Sequence, residues 1–226
     1  MLKHITNFLY KGIIEEHTFS IFGNIKFIVS KYFIILLLLL SILIIASLLN
    51  ISASEVGKGI KPTTIGKILF ICLIAPILEE LIFRLPLVVS KTNLIISVST
   101  FALFAYSFTR KYLINYEYIG YIAIFFIVIF SIYLLTYRYH HIYSFLTKNK
   151  LLLIHFSSLF FCTIHFGNYN FSYNAFVPSL MLLFTLIIGY YLSYIRLRFG
   201  IGYSIFAHSF HNILVSLPII IKFITK

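Results

Sequence analysis

Apolar runs follow one another along nearly the whole of this 226-residue chain, most of them about 20 residues long, the length of helix that crosses a bilayer. The chain is 61% hydrophobic and 11% charged, whereas soluble domains contain about 25% charged residues. The runs are continuous, which favours helices over the alternating strands of a transmembrane barrel. We therefore predict an all-α fold, a polytopic transmembrane helical bundle of about seven or eight helices, with no room for a soluble domain.

The apolar pattern predicts seven spans and one flanking segment. The predicted spans are residues 32–51, 66–89, 93–108, 118–137, 151–166, 177–195 and 201–221. Residues 1–31 contain Ile5, Phe8, Leu9 and Ile13 near one helical face, which is typical of a short amphipathic segment at the membrane interface. The chain is thus divided into an interfacial segment, 1–31, and a membrane bundle, 32–226.

Basic residues lie mostly between the apolar runs. Lys and Arg number 18 against six acidic residues, a formal charge of +12, as expected for loops that face anionic headgroups. The positive-inside rule favours a cytoplasmic N-terminus. The many Phe, Tyr, Ile, Lys and Asn residues indicate an AT-rich genome. We predict a multi-pass protein of a prokaryotic cell membrane. The expected partners are membrane lipids and a hydrophobic or lipidated peptide or protein, not nucleic acid.

Glu79 and Glu80 stand side by side within one predicted span, and Arg84 follows on the same helix. A carboxylate near the bilayer centre costs about 2.5 to 3.5 kcal/mol, so the pair indicates a functional site. Residues four apart share a helix face, which predicts an ion pair between Glu80 and Arg84 and leaves Glu79 free for chemistry. The alternative is that both glutamates only neutralise Arg84 and fix helix packing.

Three further polar side chains lie in predicted spans: His165 at the end of the fifth, and His208 and Asn212 in the last. Because His208 and Asn212 are four residues apart, they point the same way. Singly, each would more often form a hydrogen bond between helices. Together with Glu79 they supply a general base, an imidazole that orients water or carries a proton, and donors for an oxyanion.

Other catalytic chemistries lack their residues. The sequence contains no HExxH motif, no aspartate and no GxSxG motif. Cys162 and His165 are neighbours on a helix, but a cysteine in an apolar helix is usually inert packing. His211, one turn from His208, is expected to support the site and not to act in it. Cys72 and Cys162 predict no disulfide framework.

Three motifs therefore occur in order on predicted membrane helices. They are EExxxR, FxxxH and HxxxN, formed by Glu79, Glu80 and Arg84, by Phe161 and His165, and by His208 and Asn212. With these motifs, within residues 66–221, the chain resembles the CPBP family of intramembrane endopeptidases. That family groups type II CAAX prenyl proteases with bacteriocin-processing and immunity-associated, Abi-like proteins.

The resemblance implies hydrolysis of a peptide bond inside the membrane by an activated water. By this analogy Glu79 is the base, His165 helps to hold the water, and His208 and Asn212 stabilise the oxyanion. Glu80, Arg84 and Phe161 would support the site. The resemblance leaves metal use open. We favour no cofactor, because carboxylate and imidazole already account for water activation and asparagine is a poor zinc ligand; a zinc ion would use Glu79, His165 and His208.

The chain departs from the family pattern between its first two motifs. Glu79 and His165 are 86 residues apart, where the family has the motifs on consecutive helices, so the runs at 93–108 and 118–137 are interpreted as an inserted pair. An even number of crossings preserves the orientation of the His165 helix. Glu79 lies in mid-helix and His165 at a helix end, which requires a longer fifth helix or a tilted bundle.

Two other classes of function remain as alternatives. A non-catalytic membrane protein could bind a peptide or partner, as an immunity or scaffold protein. A proton-coupled transporter could use Glu79 and His208 as a relay, but it predicts inverted repeats or broken helices, and the sequence contains neither pattern. The three intact motifs favour the enzyme.

Overall fold

The computed structural model describes residues 8–10, 12, 20–50, 64–109, 117–172 and 175–225. Within these residues the regular elements are nine α-helices, one π-helical segment and two 3-10 turns. The α-helices are α1 Ile21–Leu48, α2 Ile65–Leu69, α3 Ala75–Phe83, α4 Lys91–Thr109, α5 Glu117–Tyr137, α6 Tyr139–Lys148, α7 Lys150–Ile164, α8 Phe176–Phe199 and α9 Ile201–Ile224. The π-helical segment Phe70–Ile74 joins α2 to α3, and the 3-10 turns are Leu85–Leu87 and Phe166–Asn168.

The predicted all-α fold is confirmed, and each of the seven predicted spans coincides with helix. Four helices in the described residues are long and apolar enough to cross a membrane. They are Ile21–Leu48, Gly120–Tyr137, Lys150–Asn168 and Phe176–Phe199. The chain is therefore a helical membrane protein.

Helix α1 begins inside the segment that was predicted to be interfacial. Its first residue is Ile21, and the Ser20 side chain caps the first turn. Phe8, in the same segment, is buried in a small apolar cluster with Ile154 of α7. Residues 1–7, 11 and 13–19 lie outside the described ranges, and the interfacial role of the segment 1–31 stays a prediction.

Helix α8 forms the centre of the bundle and packs against α1, α7 and α9. Its contact with α7 is close at Gly189, where an added Cβ atom would lie 3.2 Å from the Ser158 carbonyl oxygen. This close approach brings the end of α7, with His165, beside the helices that carry the other motifs.

The inserted pair is present as α4 and α5, which pack against each other, while α4 also packs on α3. Between α5 and α7 the chain forms α6, a short helix with no buried residue that lies between two of the predicted spans. The second motif thus returns to the bundle after three helices, and α7 packs directly on α3.

Candidate active site

Helix α3 places the two adjacent glutamates in different surroundings. Glu80 is fully buried, whereas the side chain of Glu79 remains 14% exposed. Arg84 Nη1 lies 3.6 Å from Glu80 Oε1, and both side chains are fully buried. The predicted ion pair between Glu80 and Arg84 is confirmed, and Glu79 is the glutamate that stays partly exposed.

Two side chains of α9 also bind the Glu80 carboxylate. His208 Nδ1 lies 2.9 Å from Oε1, and the Ser204 hydroxyl donates a short hydrogen bond to Oε2. Both oxygens are therefore engaged, which is what a buried carboxylate requires. Glu80 is a structural anchor between α3 and α9.

The ring of Phe161 lies against the other side of Arg84. The centre of the ring is 4.0 Å from the guanidinium carbon, a cation–π distance. The same ring is 4.5 Å from the ring of His165 and 5.6 Å from that of His208, centre to centre. Phe161 thus contacts Arg84 and both histidines, which gives the aromatic residue of the second motif a place in the site.

Glu79 Oε2 is the point at which the three motifs meet. It lies 3.7 Å from His165 Nε2 and 3.7 Å from His208 Nε2. These distances exceed a hydrogen bond, and among the described residues this buried oxygen has no hydrogen-bond partner. Three helices, α3, α7 and α9, therefore direct one polar atom each towards a common point.

The partners of the imidazoles determine where their hydrogens lie. His165 Nδ1 is 2.8 Å from the Phe161 carbonyl oxygen, and His208 Nδ1 faces the Glu80 carboxylate. Since a carbonyl and a carboxylate only accept, both Nδ1 atoms carry hydrogen, and each neutral ring has its lone pair on Nε2. Three electron-pair acceptors thus converge without a hydrogen between them, an arrangement that calls for a donor such as water.

Metal binding is the other use of such atoms, since Nε2 coordination with Nδ1 held by a carboxylate or carbonyl is common in zinc sites. In the part of the chain that the structure describes, no group of three His, Cys, Asp or Glu side chains is arranged to hold a metal ion. The predicted zinc alternative, with Glu79, His165 and His208, has suitable donor types, and it stays a prediction.

The depth of His165 is explained by how α7 ends. The helix stops at Ile164, His165 caps it, and one 3-10 turn follows. The helix is thus extended by only that turn, and His165 contacts Glu79 from the helix end. His165 is 21% exposed, so it is partly accessible, as Glu79 is.

Asn212 lies on α9, one turn beyond His208. Its Nδ2 donates to the Ile71 carbonyl oxygen at 2.9 Å, within the π-helical segment where the hydrogen-bond ladder is widened. One amide hydrogen remains for another acceptor. The predicted role of Asn212 as an oxyanion donor stays a prediction, and the structure adds a contact that fixes its amide.

The remaining candidates have partners away from Glu79. His211 Nδ1 lies 2.7 Å from the Tyr32 hydroxyl, which fits the expected supporting position. The Cys162 thiol is 3.3 Å from the Leu182 carbonyl oxygen, and His155 bonds the Tyr190 hydroxyl.

Sequence reasoning missed Ser204, although a signal for it exists. Ser204, His208 and Asn212 are spaced four residues apart, so they form one polar stripe along α9. Arg196 was also missed as a site element: it is buried on α8 and its Nε is 3.2 Å from the Arg84 carbonyl oxygen. A buried arginine in a membrane helix indicates a specific partner.

Fold and site together define a helical membrane protein that encloses a glutamate–histidine cluster within its bundle. A sequence model of the type II CAAX prenyl endopeptidase Rce1-like family matches residues 61–214, about two thirds of the chain. The chain belongs to this family and is, in general terms, an intramembrane endopeptidase of the CAAX protease type. Neither a curated protein nor a solved structure matches it.

Proposed function

We propose that this protein hydrolyses a peptide bond of a membrane-associated substrate with a water molecule activated by Glu79. The observation that carries the proposal is the position of Glu79 Oε2, which has no hydrogen-bond partner among the described residues and faces the Nε2 atoms of His165 and His208 at 3.7 Å. A water placed there donates one hydrogen to the carboxylate and the other to an imidazole.

In the proposed reaction Glu79 takes a proton from the water molecule and later gives it to the leaving group. The water oxygen attacks the carbonyl carbon of the substrate while its proton passes to Glu79, which gives a tetrahedral oxyanion. The carbon–nitrogen bond then breaks, and Glu79 returns the proton to the leaving amine. The products are a carboxylic acid and an amine, and His165 keeps the water in place before the attack.

The oxyanion requires donors, which we assign to His208 and Asn212. Donation from His208 Nε2 requires the doubly protonated ring, in which Nδ1–H donates to the Glu80 carboxylate at 2.9 Å. The Asn212 amide has one hydrogen left for the oxyanion after its bond to the Ile71 carbonyl oxygen.

We further propose that the reaction proceeds without a metal ion. Carboxylate and imidazole provide the base and the proton carrier, and the third motif supplies an asparagine, a poor zinc ligand. A chelator tests this point directly, because a zinc-dependent enzyme would lose activity and recover it with added zinc.

The substrate is proposed to be a hydrophobic or lipidated peptide or protein, such as a prenylated or bacteriocin-like one, that reaches the site from the bilayer. Partial exposure of Glu79 and His165 supports access to the site. Membrane lipids are the other proposed partners. A prokaryotic cell membrane with a cytoplasmic N-terminus is the proposed location.

The test is cleavage of a library of hydrophobic and prenylated peptides by the purified chain in detergent, with and without chelator. We expect cleavage by the wild type and by His155→Ala, a control that changes a helix α7 histidine bonded only to Tyr190 in the structure. Glu79→Gln and His208→Ala should show none. Equal cleavage by Glu79→Gln would overturn the glutamate mechanism. No cleavage by any folded form would favour a non-catalytic immunity or scaffold protein.

A further inference from the structure

Helix α3 ends inside the protein. Its last residue is Phe83, and the chain continues through Arg84 into the 3-10 turn Leu85–Leu87. Ile82, Phe83 and Leu85 are all buried. Carbonyl groups of a last helical turn lack partners within the helix, and inside a membrane bundle each one must find another donor.

Pro86 makes this requirement more severe. In a continuing α-helix the donor to the Ile82 carbonyl would be the N–H of residue 86, which proline lacks. The donor to the Phe83 carbonyl would be the Leu87 N–H, which instead lies 3.2 Å from the Arg84 carbonyl oxygen. Two buried carbonyl groups are thus left for side chains of other helices.

Side chains of three other helices donate to the carbonyl groups at this end of α3, including the two that lack a backbone donor. The Ser97 hydroxyl of α4 donates to the Ile82 carbonyl at 2.8 Å, and the Ser157 hydroxyl of α7 donates to the Phe83 carbonyl at 2.6 Å. Arg196 of α8 donates from Nε to the Arg84 carbonyl at 3.2 Å, with Nη2 3.5 Å from the Leu85 carbonyl oxygen. All three donors are buried.

We infer that Ser97, Ser157 and Arg196, which we call the α3 cap, are positioning residues of the glutamate–histidine cluster. Glu79 and Glu80 lie within one turn of the capped carbonyls, so a shift of that turn moves both carboxylates. Ser157 has a second effect, because it fixes α7 to α3 two turns before His165 meets Glu79.

The α3 cap also assigns a task to the inserted helices. Ser97 belongs to α4, the first helix of the inserted pair, and it serves the carbonyl that Pro86 leaves without a donor. Helix α4 thus replaces, by a side chain, the backbone hydrogen bond that proline removes. The extra pair is then part of the site's support and not a peripheral addition.

Activity is one readout, and it rests on the proposed function. We expect Ser97→Ala and Ser157→Ala to lower kcat at least about tenfold with KM changed less than about threefold, since a misplacement of about 1 Å can cost about 100-fold in rate. Ser157→Thr, which keeps the hydroxyl, should restore kcat. The matched control is Ser131→Ala, a half-buried serine of α5 whose hydroxyl donates to the Ile127 carbonyl oxygen of its own helix.

A second readout needs no activity. The ring nitrogen signals of His208, assigned in 15N NMR spectra with His208→Gln, report its contact with Glu80. We expect both alanine variants to shift these signals and Ser131→Ala to leave them unchanged. A protein without cleavage activity but with these shifts would fail the proposed function and still support the α3 cap.

Pro86→Ala tests the cause. It restores an N–H at residue 86, so Ser97→Ala should have a smaller effect on kcat and on the His208 signals in that background than in the wild type. Arg196→Gln removes a buried charge and could fail to fold for that reason alone. In that case the serine variants decide whether the α3 cap positions the site, because they leave every charge in place. The inference is overturned if Ser97→Ala and Ser157→Ala match Ser131→Ala in both readouts.

Discussion

His208 Nδ1 lies 2.9 Å from Glu80 Oε1, and this contact joins the third motif to the first inside the bundle. The same imidazole presents Nε2 to Glu79. His208 therefore links the buried Glu80 to the partly exposed Glu79. A change at Glu80 is expected to alter the position of the His208 ring, and with it the surroundings of Glu79.

Ser204 should contribute to stability through its bond to the buried Glu80 carboxylate. Hydrogen bonds to charged groups contribute about 1.5 to 3 kcal/mol, so we expect Ser204→Ala to destabilise the protein by an amount in that range. Thermal unfolding in detergent measures the loss as a lower Tm. Ser131→Ala, which removes a hydroxyl that donates to a carbonyl of its own helix, should stay within about 0.5 kcal/mol of the wild type. Equal melting temperatures for both variants would contradict the prediction.

Gly189 should tolerate no side chain, because its Cβ would lie 3.2 Å from the Ser158 carbonyl oxygen and 3.4 Å from Phe161 Cδ1. Overpacking of this kind costs about 1 to 3 kcal/mol, and we expect Gly189→Ala to lower both Tm and cleavage. Gly202→Ala is the matched control, since nothing lies within 4 Å of its Cβ position. The control should be neutral or slightly stabilising. A Gly189→Ala protein with the same Tm as the control would disprove the close contact.

Phe161 should be required for more than packing, because its ring lies over Arg84 at 4.0 Å and beside both histidines. A desolvated cation–π contact is worth about 2 kcal/mol. We expect Phe161→Leu to lose about that stability and most of the cleavage activity. Phe156→Leu, on the exposed side of α7, should change neither by a comparable amount. Retained activity in Phe161→Leu would show that the ring does not position the histidines.

The sequence was sufficient to predict the elements that depend on local pattern. Continuous apolar runs predicted the helices, and the spacing of Glu80 and Arg84 predicted an ion pair that the structure confirms at 3.6 Å. The start of α1 at Ile21 was missed because a polar Asn24 and Lys26 follow it. Hydropathy alone therefore places Asn24 and Lys26 outside the apolar run that follows them.

The contacts between distant helices could not be predicted in the same way. Ser97 and Ser157 are unremarkable as sequence positions, and only the fold brings them to carbonyls that Pro86 and the 3-10 turn leave without donors. Asn212 was assigned to the oxyanion by resemblance, and its bond to Ile71 depends on a π-helical turn that no spacing rule predicts. Pairings across the bundle depend on helix register, which a single sequence does not fix.

The adjacent glutamates should respond in opposite ways to the same substitution. Glu80→Gln removes the negative charge that faces buried Arg84, and breaking a buried ion pair costs about 3 to 5 kcal/mol. We expect a large fall in Tm for this variant. Glu79→Gln changes a carboxylate whose buried Oε2 accepts no hydrogen bond among the described residues, so its Tm should be unchanged or higher while cleavage is lost.

Tm and peptide cleavage, measured on both variants, distinguish the structural role of Glu80 from the catalytic role of Glu79. Each variant is the control for the other, because both replace a glutamate by an isosteric glutamine. Loss of Tm in Glu79→Gln with little change in Glu80→Gln would reverse the assignment. The expected pattern instead places stability at Glu80, where Arg84, Ser204 and His208 hold the carboxylate. It places chemistry at Glu79. The Oε2 atom of this carboxylate has no hydrogen-bond partner among the described residues, which lowers stability but leaves the base free to react.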